Sequence, residues 1–107
     1  MPLVTRFLAG VLLANAVPHG VSAVQGRRFP TPFANPPGVG LSGPVANAVW
    51  SALNAAGGVA LLGRAPSGPR ERISLLTGAV AMTFFLAHYF GKSPQDGKQA
   101  ATPGTVR

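Results

Sequence analysis

The chain has 107 residues, of which 47% are hydrophobic and only 10% are charged. A soluble domain carries about a quarter charged residues, so so few charges exclude an ordinary water-covered surface. The net charge of +7 invites a nucleic-acid reading, but the nine Lys and Arg are spread over short polar segments. They form no basic stripe with interleaved aromatics and match no nucleic-acid-binding motif, so no nucleic-acid partner is expected. There is no cysteine, which excludes disulfides and thiolate metal sites.

Three apolar runs follow one another along the chain. The first, Phe7 to Val24, contains Asn15, Pro18, His19 and Ser22 but no full charge. The second, Pro44 to Gly63, contains Asn47, Ser51 and Asn54, and opens on a proline, a favoured first helical residue. The third, Ile73 to Gly91, follows the charged triplet Arg70-Glu71-Arg72 and closes on Tyr89 and Phe90. About 20 residues at 1.5 Å each cross the hydrocarbon, and all three runs approach that length. The expected fold class is therefore an all-α membrane protein. It has three transmembrane helices, over about 3–24, 44–63 and 72–91, and a Pro/Gly-rich extended loop between helices 1 and 2. The first run has a rival reading as a signal peptide, with Arg6 as n-region and Ala14-Asn15-Ala16 as cleavage site. The apolar run continues past that site to Val24, and we read it as a retained helix.

The first connection, 25–43, reads QGRRFPTPFANPPGVGLSG. Four prolines disfavour helix, yet Phe29, Phe33 and Leu41 are apolar, which a purely solvated linker does not need. We read it as an ordered extended cap on the membrane surface, with Phe29 and Phe33 as an interface for a partner. The second connection carries the turn signal Pro66-Ser67-Gly68-Pro69, so helices 2 and 3 are expected to pair as an antiparallel hairpin. The membrane domain ends near residue 91, and the polar 92–107 tail is expected to be disordered.

Three crossings put the first loop and the tail on one side. His19 ends the first helix, Asn47 opens the second and His88 ends the third, so all three reach the side of the Pro-rich loop. Helical spacing places Asn15 with His19, Asn47 with Ser51 and Asn54, and Thr77 with Ala81, Phe84 and His88, each set on one face. Polar side chains in hydrocarbon seek partners on neighbouring helices. We therefore expect these faces to meet in a polar cluster of Asn15, His19, Asn47, Asn54 and His88. The functional reading makes the two His proton carriers, haem ligands or metal ligands. The structural reading makes them hydrogen-bond partners of a loop or a facing amide, and their places near helix ends favour it. Two His with no nearby carboxylate form no metal site, and no cofactor is expected.

Small residues recur every four positions on helix 2 at Ala48, Ala52, Ala56 and Ala60, beside Gly57 and Gly58; Gly10, Ala14, Ser74, Gly78 and Ala81 extend the pattern. Such spacing lets backbones approach closely, within one chain or between chains. A homo-oligomer or a larger membrane-protein partner is expected. Enzyme chemistry finds no support, because the only carboxylates, Glu71 and Asp96, fall on opposite sides of the membrane. Charge asymmetry across the bilayer is small; three arginines crowding the short second connection favour a cytoplasmic N-terminus.

Asn15-Ala16-Val17-Pro18-His19-Gly20, then Gly26-Arg27-Arg28-Phe29-Pro30-Thr31-Pro32-Phe33-Ala34-Asn35-Pro36-Pro37-Gly38, then Val45-Ala46-Asn47-Ala48-Val49-Trp50 and Ala87-His88-Tyr89-Phe90-Gly91 resemble a pattern found in a family of small uncharacterised bacterial integral membrane proteins. His88 stands where members often carry a basic residue. The resemblance implies a membrane architecture and a bacterial inner-membrane location, and it supplies no catalytic residue. The reading is a non-enzymatic accessory or interaction subunit. The alternative is an oligomeric transport or proton-handling protein lined by the polar cluster, and a haem-binding subunit is a third.

Overall fold

A computed structural model describes residues 2–64 and 66–92. Three helices carry the architecture: α1 (Pro2–Val24), α2 (Pro44–Leu62) and α3 (Pro69–Gly91). Each is long and apolar enough to cross a membrane. Two very short strands, β1 (Phe29–Pro30) and β2 (Leu41–Ser42), interrupt the loop between α1 and α2. They pair antiparallel in the register Phe29 with Ser42 and Pro30 with Leu41. The loop is thus folded rather than simply extended. The expected disordered tail, from position 93 onward, lies outside the described residues.

The helix starts follow from local chemistry. Pro44 opens α2 behind Gly43, and Pro69 opens α3 behind Gly68. Glu71 Oε1 accepts the Gly68 N–H at 2.9 Å, satisfying a donor that the first turn leaves without a helical partner. This cap brings Arg70, Glu71 and Arg72 into the helix, so α3 begins three residues before the expected position 72. α1 runs through Pro18 without ending, as membrane helices tolerate where neighbours satisfy the released backbone.

α1 is the central helix. It packs on both α2 and α3, while α2 and α3 barely touch. The antiparallel hairpin expected from their short connection is therefore not a packed pair. The reason is the distribution of glycine. A Cβ at Gly10 would come within 2.1 Å of Leu75 O, and one at Gly78 within 2.0 Å of Phe7 O. α1 and α3 thus meet backbone to backbone, in parallel. On the other side a Cβ at Gly58 would lie 2.7 Å from Leu13 Cγ and 3.2 Å from Ala9 O, in an antiparallel contact. Close approach of this kind is what drives helix pairing where lipid removes the hydrophobic drive. Polar ties fix the same end: Arg6, buried, donates to Ser67 Oγ on the α2–α3 connection, and Ser74 Oγ donates to Leu3 O.

Substituting Gly10 by Val is expected to cost at least about 1–3 kcal/mol, the range for overpacking a tight contact. Gly43→Ala is the control, since a Cβ there meets nothing within 4 Å. Titration of the detergent-solubilised chain with SDS, followed by circular dichroism, measures both; equal midpoints for the two variants would contradict the close α1–α3 approach.

Candidate functional site

The polar residues expected to converge do so in two bonded sets, with one exception. Asn47 is fully buried at 0% exposure. Its Nδ2 faces three carbonyl oxygens, those of Phe29, Ser42 and Gly43, each at 3.1 Å. Only an amide nitrogen can donate to a carbonyl, so the amide orientation is settled by its neighbours. Asn47 Oδ1 then faces His19 Nδ1 at 2.7 Å, and Nδ1 must carry the proton and donate. One side chain of α2 thereby joins α1, both ends of the loop and its own helix start.

A second set lies one turn back along α1 and two turns on along α2. Asn54 Nδ2 donates to Trp50 O at 2.9 Å, which leaves Asn54 Oδ1 to accept from Asn15 Nδ2 at 3.0 Å. Ser51 Oγ between them donates to Ala16 O at 2.7 Å. The spacing Asn47, Ser51, Asn54 thus marks the α2 face that binds α1.

His88 stands apart. It is exposed, as are Thr77, Ala81 and Phe84 on the same stripe of α3, Phe84 at 73%. The expected inward face of α3 therefore points away from the bundle. Thr77 Oγ1 donates to Ile73 O at 2.7 Å, satisfying its hydroxyl inside its own helix, so it needs no neighbour. The face that packs carries Ser74, Gly78, Met82, Leu86 and Tyr89 instead, selected by small size at one end and by ring contacts at the other. His19 and His88 consequently share no site, and the pair cannot hold one haem.

The loop closes over His19. Phe29 is buried, its ring 5.2 Å from the His19 ring and 4.5 Å from that of Phe90. The expectation that Phe29 presents an interface to a partner is corrected: it is internal, drawn down by the Asn47 bond to its carbonyl. Phe33, 56% exposed, packs edge-on against Trp50 at 5.7 Å and remains at the surface. Thr31 and Ser42 share a hydroxyl bond at 2.6 Å across the strands. Tyr89 Oη donates to Gly38 O at 2.5 Å, tying the loop tip to α3. Gly38 has φ of 73°, a left-handed conformation suited to glycine, and a Cβ there would sit 2.8 Å from Tyr89 Oη.

Beneath this cap, in the gap that α1 leaves between α2 and α3, lies a cleft of about 420 Å³. Asn15 and His19 form its floor, Trp50 one wall, and Met82, Phe85 and Tyr89 the other. Sequence reasoning passed over these wall residues, although Met82, Phe85, Leu86 and Tyr89 recur at helical spacing. No three metal-binding side chains converge among the described residues. A scan against models of protein families, a search of curated proteins and a search of solved structures each find no match.

Asn47→Ala removes both amide donors, shared among three carbonyls, and the acceptor for His19, three hydrogen bonds in effect. At an average of about 0.6 kcal/mol for such a bond in a membrane protein, the expected loss is about 2 kcal/mol. His88→Ala is expected to change stability by less than about 0.5 kcal/mol. SDS unfolding of the two variants beside the parent chain checks both values, and a larger loss for His88→Ala than for Asn47→Ala would contradict these placements.

Proposed function

We propose that the protein is a non-enzymatic accessory subunit of a bacterial cell membrane, N-terminus in the cytoplasm, that associates through the outer face of α2. The observation that carries this reading is the fate of the small residues. Gly10, Gly58 and Gly78 are consumed in contacts within the chain. Ala48, Ala52, Ala56 and Ala60 form a four-residue repeat that faces outward and is exposed along its whole length. A ladder of alanines gives lipid little to pack against but lets another helix approach closely. Val45, Val49 and Leu53 beside it are also exposed, adding apolar contact area. A second copy of the chain is the simplest occupant, and a larger membrane protein is the other.

The transport reading has less behind it. Asn15, His19, Asn47 and Asn54 bond to one another and to backbone, and these bonds hold helices and loop together. Of these four only Asn15 and His19 line the cleft, so the set does not line a path through the bundle. With Glu71 capping α3, no acid–base pair is assembled among the described residues.

The chain has no cysteine, so single-cysteine variants report contacts directly. Ala52→Cys is expected to form a disulfide-linked dimer in membranes, or a crosslink to a co-purifying protein, while Phe84→Cys on the outer face of α3 does not. Ala52→Leu is expected to weaken association about tenfold, the equivalent of 1.4 kcal/mol. A monomer with no co-purifying protein and no crosslink at Ala52 would overturn the reading.

A further inference from the structure

We propose that the cleft beneath the Pro-rich loop binds a lipid-soluble aromatic alcohol, a phenol or quinol, whose hydroxyl donates to His19 Nε2. This reading is independent of the association proposed for α2, since cleft and alanine ladder lie on different faces.

The polarity of the floor follows from the hydrogen bonds above. His19 Nδ1 donates to Asn47 Oδ1, so in the neutral ring Nε2 carries a lone pair. Every buried side-chain nitrogen and oxygen among the described residues has a partner. Nε2 bonds no protein group among the described residues, so it must meet accessible surface. His19 is 2% exposed, and the cleft is the surface its ring lines. Asn15 also lines the cleft: one N–H of its Nδ2 is taken by Asn54, which leaves Oδ1 and the second N–H. His19 Nε2 is therefore an acceptor on the floor of the cleft, and Asn15, one turn away at about 6 Å along the axis, adds an amide that can accept or donate. A ligand that engages Nε2 must bring a donor. Carbonyl, ether and ester ends do not, and a hydroxyl does.

The walls select the rest of the molecule. Trp50, Phe85, Tyr89 and Phe90 supply aromatic edges and faces, and Met82 adds a polarisable thioether that favours ring contacts. A dry cavity of about 150 Å³ already accepts benzene. A cleft of about 420 Å³ holds a substituted ring with part of a chain. Its place between membrane-crossing helices makes the bilayer the source of such a ligand.

Trp50 is the only tryptophan and lines the cleft, so its fluorescence reports occupancy of the cleft, with saturation separating that from quenching by phenol dissolved in lipid. The probe is 4-bromo-3,5-dimethylphenol, whose bromine quenches on contact; its methyl ether, which has no donor, is the control. With the full chain in lipid nanodiscs, the phenol is expected to quench saturably and about ten times more tightly than the ether. His19→Phe, which removes the acceptor, is expected to abolish that preference. Met82→Phe narrows the cleft without touching the polar network and is expected to weaken phenol binding severalfold; it carries the test if His19→Phe does not fold. Equal, non-saturating quenching by phenol and ether would show partition into lipid only and overturn the proposal. So would parental phenol binding in Met82→Phe together with His19→Phe.

Discussion

The carboxamide of Asn47 is the constraint on which the cap end of the molecule depends. Hydrocarbon offers no water to a backbone that is neither helix nor closed sheet, so the loop between α1 and α2 persists at the bundle only where its polar groups find partners. Asn47 supplies them from a single buried side chain, accepting from His19 and donating to the carbonyls of Phe29, Ser42 and Gly43. The two carbonyls at the ends of the strand pair are held by the same nitrogen, so the strands close over His19. Phe29 and Phe90, in contact with each other at 4.5 Å, then cover the ring together. The opposite end of the bundle is governed by size instead, through the Gly10 and Gly78 approach.

These two devices explain the cleft. Glycine contacts fix α3 tightly along α1 at the Arg6 end, while at the cap end α3 meets α1 through the Phe90 ring against His19 and meets the loop through Tyr89. α2 is bound to the other side of α1 by Asn54, Ser51 and Gly58. With α1 between them, α2 and α3 leave a gap that rings line and the loop roofs. The polar groups reaching that gap are what is left over after the helix-joining bonds are made, and at His19 what is left is an acceptor.

Much of this was legible in the order of residues. The three spans are readable because an apolar run of nearly 20 residues has few other fates. Asn15, His19, Asn47 and Asn54 could be placed together because amides at helical spacing, on helices whose topology brings their ends level, need one another. His88 misled because polarity alone was used to choose the inner face of α3. A residue in the last turn can reach the interface without a partner, and Thr77 satisfies itself. The better signal was size: Ser74 and Gly78 mark the face that packs. Phe29 was read as an outward contact because nothing local shows that a distant asparagine pulls its backbone inward. The central place of α1 was hidden for a similar reason, since short connections suggest which helices are neighbours but backbone approach decides which ones touch.

The tautomer of His19 tests this account most directly. The chain has two histidines, and only His19 is buried in the network. Solid-state nitrogen NMR of the ¹⁵N-histidine-labelled protein in bilayers, with His88→Gln removing the second signal, separates the two neutral forms. The account predicts a proton on Nδ1 and an unprotonated Nε2. A ring protonated on Nε2 instead would mean that the Asn47 amide points the other way, that the loop carbonyls are held by something else, and that the cleft offers a donor rather than an acceptor.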